Sequence, residues 1–330
     1  MAPRKNILVT GGAGYIGSQV VKQLHLAGYH PISIDNLYSG KAESVIYGTF
    51  IEGDIGKRED LDHIFKTHSI EAVIHLAAYI EVGESVLNPS KYYQNNVVNT
   101  LCLLNAMRDH GIHSFIFSSS AAIFGSPKTI DPIKEEDPKA PINPYGESKL
   151  MVERILKDYE KAYNLSFVSL RYFNAAGGDP DGEIKNYKTK VSNLIPVLLK
   201  NIKNDNFPTV IYGSDYPTED GTCLRDYIHV ADLAEAHVKA LQYLLSGGKS
   251  SYYNLGTGSG VSVKQVFATT EKILKIKIHK KYVSRRLGDP AVLVADGSKA
   301  FKELDWSPKY SLEDMIQHAW SALPTYTNFG

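Results

Sequence analysis

The sequence predicts a doubly wound α/β fold: a parallel sheet covered by helices on both faces, with a smaller C-terminal lobe. Three observations predict it. Short apolar, β-branched runs alternate six times with stretches of helical periodicity, which requires right-handed crossovers and a parallel sheet buried on both sides. The first run feeds "VTGGAGYIG" (Val9–Gly17), a glycine loop between a strand and a helix. Beyond about residue 175 the alternation loosens into polar, turn-rich stretches such as "GGDPDGEIKNYKTK" and "GSDYPTEDGTCLRD", the mark of a second lobe.

Taken in order, "NILVT" is the first strand, followed by a helix through "YIGSQVVKQLHLAG" and a strand "HPISID". "GTFIEGD" leads to the helix "REDLDHIFKTH" and then to "EAVIHLAA". A long helix through "SKYYQNNVVNTLCLLNAMRDHG" precedes "SFIFSSS", and another through "GESKLMVERILKDYEKAY" precedes "LSFVSLRYF". "RDYIHVADLAEAHVKALQYLLSGG" reads as a strand and a helix, with Asp232 near the helix start and glycines past its end. Such a unit suits a return to the first sheet.

The chain has 330 residues, 36 basic and 36 acidic side chains and 43% hydrophobic content, an ordinary globular profile. Balanced charge argues against a nucleic-acid partner, whose phosphates demand a basic face. Apolar runs such as "NLIPVLL" are far short of a membrane span, and "MAPRKNILVT" shows no leader pattern. Cys102 and Cys223 form neither a disulfide framework nor a metal spacing, so a reducing, cytoplasmic setting is expected. His75 in "VIHLA" and His229 in "YIHV" read as satisfied strand-end histidines, and no metal is expected. "IKEEDPKAP" reads as a solvated loop.

Two registers fit the glycine loop: Gly12, Gly14 and Gly17 as G-x-G-x-x-G, or Gly11, Gly14 and Gly17 as G-x-x-G-x-x-G. Either serves the same Rossmann-type chemistry. Glycine permits the tight turn, close approach of backbone to a pyrophosphate, and packing of helix on strand. The helix N-terminus offers amide N–H groups to the anion. Asp35 ends the second strand eighteen residues past Gly17, where a carboxylate accepts from an adenosine 2′-hydroxyl and repels a 2′-phosphate. NAD is favoured over NADP.

"NPYGESKLMVE" sets Tyr145 and Lys149 one turn apart on one helix face. A tyrosine of ordinary pKa, near 10, is a poor base unless a cation favours its phenolate. Lys149 is placed to do this and to hold the cofactor's ribose. "FIFSSSAAIFG" brings Ser118, Ser119 and Ser120 to the carboxyl edge of the sheet, where ligands bind in open α/β folds. One hydroxyl is expected to link substrate and Tyr145; the other two read as a polar strand end.

"TGGAGYIG", "FSSSA" and "YGESK" together resemble the extended short-chain dehydrogenase/reductase family. "GDI", "VGESV", "NNV", "RYFNAAG", "DYPTEDGTCLRDYIHVADLA", "YYNLGTG" and "RRLGDPA" narrow the resemblance to its UDP-glucose 4-epimerases, over nearly the whole chain. The resemblance implies an isomerase that interconverts UDP-galactose and UDP-glucose through a 4-keto sugar with tightly bound NAD. It implies Ser120 and Tyr145 as catalytic, with Lys149 supporting Tyr145. Gly11, Gly14, Tyr15, Ile16, Gly17, Asp35, Asn36, Asp54, Ile55, Leu76, Ala77, Ala78, Asn95 and Tyr172 fall at cofactor positions, joined by Tyr145 and Lys149. Asn174, Asn193, Leu194, Tyr212, Arg225, Arg286, Asp289 and Leu293 fall at UDP-sugar positions, joined by Ser120 and Tyr145. Two arginines suit a diphosphate, and Asp289 suits the uridine ribose hydroxyls. The expected division is residues 1–175 for NAD, with 225–255 returning to that lobe, and 176–330 mainly for the UDP-sugar.

Three positions depart from frequent family residues: Ile80 stands where a lysine is common, Ala122 where a threonine is, and Leu293 where the sugar pocket is bounded. They predict a somewhat roomy pocket that also takes the UDP-N-acetyl sugars. The helices carrying Val98, Leu101, Cys102, Leu104 and Met107, and Met151, Val152, Ile155, Leu156 and Tyr159, are apolar over a wide arc. A helix covering a sheet needs one stripe, so a homodimer is expected, as the resemblance also implies. Two alternatives remain. A nucleotide-sugar 4,6-dehydratase or decarboxylase shares the first oxidation but needs a further acid after the hydroxyl, where this chain has Ala121 and Ala122. A non-catalytic UDP-sugar or NAD sensor on the same fold would have no need of Tyr145 and Lys149.

Overall fold

Seven of the apolar runs form one parallel sheet in the computed structural model, which describes residues 4–185, 193–203, 208–286 and 289–323. The first lobe runs β1 (Asn6–Thr10), α1 (Gly17–Leu26), β2 (His30–Asp35), β3 (Thr49–Glu52), α2 (Arg58–Thr67), β4 (Ile70–His75), α3 (Val82–Leu87), α4 (Pro89–Tyr93), α5 (Asn99–Asp109), β5 (Ser114–Ser120), α6 (Pro144–Tyr163) and β6 (Ser166–Tyr172). There follow β7 (Asn174–Ala176), α7 (Leu194–Lys203), β8 (Thr209–Tyr212), β9 (Leu224–Arg225), β10 (Tyr227–His229), α8 (Val230–Leu245) and β11 (Ser251–Leu255). The chain ends with β12 (Val261–Ser262), α9 (Val263–Leu274), β13 (Lys280–Val283), β14 (Val292–Leu293), α10 (Ser298–Leu304) and α11 (Leu312–Ala322).

The sheet order is β11-β6-β5-β4-β1-β2-β3, and every adjacent pair is parallel. Alternate residues serve opposite faces. Ile7, Val9, Ile74 and Ile116 pack with α1 and α8. Leu8, Val73, Phe115 and Phe167 pack with α2, α5 and α6. Building proceeds outward from β1 to β3 on one side and from β4 to β6 on the other. A crevice therefore opens at the carboxyl ends of β1 and β4, where open α/β sheets bind ligands.

The second lobe has its own core, with Leu198 and Leu199 of α7, Phe267 of α9 and Ile316 of α11. The chain crosses back to the first lobe twice. β11 extends the main sheet beside β6, and α8 packs on α1. α10 and Trp306 also join the first-lobe core, with the Trp306 indole donating to the Asp232 carbonyl at 2.9 Å. This second crossing left no trace in the sequence pattern, because α10 is only seven residues long.

Two local readings are corrected. The helix expected through "SKYYQNNVVNTLCLLNAMRDHG" is interrupted by a π-helical turn, Gln94–Val98, which separates α4 from α5. The stretch "IKEEDPKAP" is not simply solvated: Ile133 is buried and bridges to Ala295, and Glu135 accepts from the Asn254 N–H at 2.8 Å. A single apolar anchor among charged residues gives no periodic signal.

Candidate active site

The glycine loop is shaped by what its glycines touch. Gly11 has φ +73°, and a side chain there would come within 2.8 Å of the Ala77 nitrogen. A Cβ on Gly12 would lie 2.6 Å from the Ser33 hydroxyl, and one on Gly17 would overlap the Gly11 carbonyl oxygen. Both registers are therefore used at once. Gly14 differs: within 4 Å its Cβ would meet only the Gly11 carbonyl, at 3.1 Å, so its outer side is free for a ligand. α1 begins without a side-chain cap or an acidic residue in its first turn, so no side chain competes with an anion at its positive end. The Ser18 and Val20 N–H groups already bond the Gly14 and Ile16 carbonyls at 3.0 Å. Tyr15 anchors this loop to the second lobe through its hydroxyl and the Gly177 carbonyl at 2.7 Å, while Ile16 packs against the first-lobe core.

Asp35 accepts from the Ala13 N–H at 3.1 Å and the Leu37 N–H at 2.9 Å, which fixes the carboxylate at the loop's rim. Burial raises its pKa, and these two N–H groups oppose that rise. Asn36 donates to Asp54 at 3.1 Å, Asp54 accepts from the Gly56 N–H, and Ile55 is buried beside them. Across the crevice, the Leu76 N–H bonds the Thr10 carbonyl and the Ala77 N–H bonds the Thr10 hydroxyl, so Leu76, Ala77 and Ala78 leave β4 along the loop. Asn95, on the π-helical turn, donates to Asn96 at 3.0 Å. These residues fit a dinucleotide: glycine backbone for a pyrophosphate, and a carboxylate at the ribose end.

The structure sorts the three serines. Ser118 pairs with the Tyr172 hydroxyl, and its carbonyl accepts from the Lys149 ammonium at 2.8 Å. Ser119 donates to Glu153 at 2.7 Å, and Glu153 forms a buried two-pronged pair with Arg171. Ser120 remains, its hydroxyl accepting from the Ala122 N–H at 3.2 Å and close enough to the Tyr145 phenol to oppose a rise in its pKa. Tyr145 enters this position because Pro144 starts α6 and the Asn143 side chain caps it, accepting from Gly146 at 2.8 Å.

Burial raises the Tyr145 pKa, and the Ser120 hydroxyl works against it. Burial also lowers the Lys149 pKa to about 7. Lys149 sits on the same helix face as Tyr145 but spends a donor on Ser118 and lies 5.0 Å over the Phe117 ring. Desolvation thus outweighs the expected lysine effect on Tyr145 in this state.

On the second lobe, the Arg225 guanidinium donates to the Leu224 and Pro290 carbonyls, each at 2.8 Å, and to Asp289 at 3.3 Å. Arg286 stacks 3.9 Å over Tyr212. Asn174 lies on β7, Asn193 donates to the Ala175 carbonyl at 3.4 Å, and Leu194 opens α7. β14 runs beside β9, setting Leu293 opposite Arg225, and Leu293 packs on the cluster holding Ala121 and Phe124. Leu293 therefore joins the basic side of the crevice to the turn that carries Ser120.

Three supports escaped the sequence reading. Asn96 accepts from the Tyr79 N–H at 2.9 Å and donates to the Ser148 hydroxyl at 3.0 Å, tying the loop after β4 to the Tyr145 helix. Asp226, fully buried, accepts from Thr257, Gly258 and Ala295 and so fixes the strand carrying Arg225. The Glu153–Arg171 pair underlies the serines. The "NN" doublet inside a helical run was the one local hint, since asparagine is a poor helix former. His75 bridges Thr10 at 2.7 Å and Thr100 at 2.9 Å, and His229 caps α8 and meets His318 at 3.1 Å, as satisfied core groups do.

Residues 7–256 match the NAD dependent epimerase/dehydratase family. The UDP-glucose 4-epimerase of Halalkalibacterium halodurans is 49% identical over 316 residues, covering 96% of this chain and 94% of its own. The chain belongs to the UDP-glucose 4-epimerase family. Among solved structures, the UDP-glucose 4-epimerase from Brucella ovis in complex with NAD superposes with a TM-score of 0.93 at 43% identity, covering 96% of this chain and 97% of that one. The UDP-Glc/GlcNAc 4-epimerase of Campylobacter jejuni gives 0.84 at 38%, covering 96% and 98%. Like that family, this epimerase chain is an NAD-dependent isomerase. Among the described residues no helix is long and apolar enough to cross a membrane.

Proposed function

We propose that the chain interconverts UDP-galactose and UDP-glucose at C4, with Tyr145 as the acid–base group, Ser120 as its hydrogen-bonding partner and Lys149 as their electrostatic support. The observation that carries this reading is the grouping at the sheet's carboxyl edge of the Ser120 hydroxyl, which acts to lower the pKa of the buried Tyr145 phenol, with the buried Lys149 one helical turn along. NAD, when bound, supplies the hydride acceptor and donor. Tyr145 as phenolate takes the C4 hydroxyl proton while Ser120 holds the same oxygen. The 4-keto sugar then turns about its diphosphate linkage, and Tyr145 returns the proton after the opposite face is presented. The UDP must be gripped while the sugar turns. Arg225, Arg286 and Asp289 lie together on the second lobe and suit that grip.

Two finer readings go with it. Leu293 and Ala122 add no hydroxyl of their own to the sugar side, which supports turnover of the UDP-N-acetyl pair, and the Campylobacter jejuni neighbour is a UDP-Glc/GlcNAc 4-epimerase. A homodimer is supported by α5 and α6. Leu104, Met107, Val152 and Leu156 are spent in this chain's own core, while Val98 is 48% exposed and Leu101, Cys102, Met151, Ile155 and Tyr159 are half-buried. The free thiols of Cys102 and Cys223 suit a reducing, cytoplasmic setting.

Incubation with UDP-galactose and no added NAD, followed by NMR of the product, tests the reading. UDP-glucose is the expected product. A 4-keto-6-deoxy sugar would instead favour the dehydratase, and no conversion with NAD present would favour the sensor.

A further inference from the structure

We infer that Tyr38, Lys91 and Tyr79 form a clasp across the cofactor crevice that slows NAD release. The inference rests on NAD being the resident cofactor. Tyr38 follows Asp35 and Asn36 on the loop after β2, and Tyr79 follows Ala78 on the loop after β4. These two loops flank the glycine loop. Their tyrosine rings meet with centroids 4.6 Å apart. The Lys91 ammonium, from α4, sits 5.0 Å from one ring centroid and 4.8 Å from the other. It also donates to the Tyr38 hydroxyl at 2.8 Å and to Glu84 at 2.6 Å. Two of its three donors are thus spent on the clasp, so Lys91 acts by joining the loops.

The two sides of the clasp are held differently. Tyr79 is fixed at both backbone polar groups by the Asn96 side chain, at 2.9 and 3.0 Å. Tyr38 is half-exposed and follows Leu37, whose φ of +58° is strained for a branched residue. Opening therefore belongs to the Leu37–Ser39 side, against a fixed Tyr79. A cation set against two touching tyrosine rings, bonded to one hydroxyl and backed by a carboxylate, is a favourable contact even near the surface. NAD spanning from Asp35 to the end of β4 must part these loops to leave.

The test is the rate at which bound NAD leaves the purified protein, measured by acid extraction of protein-bound NAD during dialysis. Lys91→Ala and Tyr38→Ser are expected to release NAD about tenfold faster than wild type. Lys91→Arg should stay close to wild type, since a guanidinium also stacks on tyrosine and reaches Glu84. Tyr38→Ser lies on an exposed loop, so folding is not at stake in that variant. Release at the wild-type rate, or slower, from both Lys91→Ala and Tyr38→Ser overturns the clasp. A wild type that carries no NAD overturns the resident-cofactor reading itself, and the clasp with it.

Discussion

A buried tyrosine that must lose a proton faces an opposing field, and Tyr145 shows how this site answers it. Burial favours the neutral phenol, whereas the Ser120 hydroxyl favours the phenolate. Lys149, pushed down to about 7 by its own burial, gives its ammonium to the Ser118 carbonyl. Removing only the phenolic oxygen keeps the ring's packing, so Tyr145→Phe should fold normally and lose about 10²–10⁴ in turnover, the range for a general base. UDP affinity should persist because its arginines stand elsewhere, Arg225 on β9 and Arg286 beyond the end of β13. A variant retaining more than a tenth of wild-type turnover would remove Tyr145 from that role. At the opposite wall, Leu293→Tyr adds a ring beside the Ala121–Phe124 turn. A single methylene in an apolar pocket is worth about 1–3 kcal/mol and a ring is bulkier, so kcat/KM for the UDP-N-acetyl pair should fall at least roughly 10-fold relative to the plain pair. Equal losses on both pairs would show that Leu293 does not discriminate between them.

Among the elements, the glycine loop and the π-helical turn mark the limits of what the sequence made legible. The loop is a local device. Its glycines, the strand before it and the helix after it occur in one unbroken stretch, and the same holds for Tyr145 with Lys149 and for the serine run. Asp226 and Glu153 were silent, and Asn96 was hinted at only by its doublet, because their partners come from far along the chain: Ser148 is 52 residues from Asn96, and Ala295 is 69 from Asp226. A buried polar group is defined by what packs on it, and no spacing announces that. The π turn was hidden likewise, since apolar residues on either side continue a helical pattern. Gly17→Ala tests the loop as an element. Its methyl group would overlap the Gly11 carbonyl, so the helix must lift from the strand. Overpacking of this kind costs about 1–3 kcal/mol. A lower thermal midpoint together with loss of bound NAD is the expected pair of results, and unchanged NAD content would mean that the loop tolerates a wider turn.

For the whole molecule, the buried histidines set how the fold meets acid. Burial lowers the pKa of His75 and His229 to about 3 and of His237 to about 4, from an ordinary 6.5. Below pH 6.5 the unfolded chain takes up protons that the folded one refuses, so these three side chains withdraw stability as pH falls. Asp232 works the other way. Burial raises its pKa to about 6, so between about 6 and its ordinary 3.8 the folded state binds the extra proton and gains stability. Lys149 does not enter this window, because its proton is on in both states below about 7. Burial raises Asp35, Asp226 and Glu135 in the same sense as Asp232, so the three histidines leave a net uptake of at most about two protons on unfolding, up to roughly 3 kcal/mol lost per pH unit. That is a large share of the 5–15 kcal/mol typical of a folded domain. The urea midpoint should therefore already decline from pH 7.5 to 6.5, where the folded state holds the Lys149 proton only in part and the unfolded-state histidines begin to take up theirs, and fall more steeply between pH 6 and 4.5. A midpoint that holds steady to pH 4.5 would mean that these histidines accept protons without unfolding, against the closed environment that Thr10, Thr100 and His318 give His75 and His229.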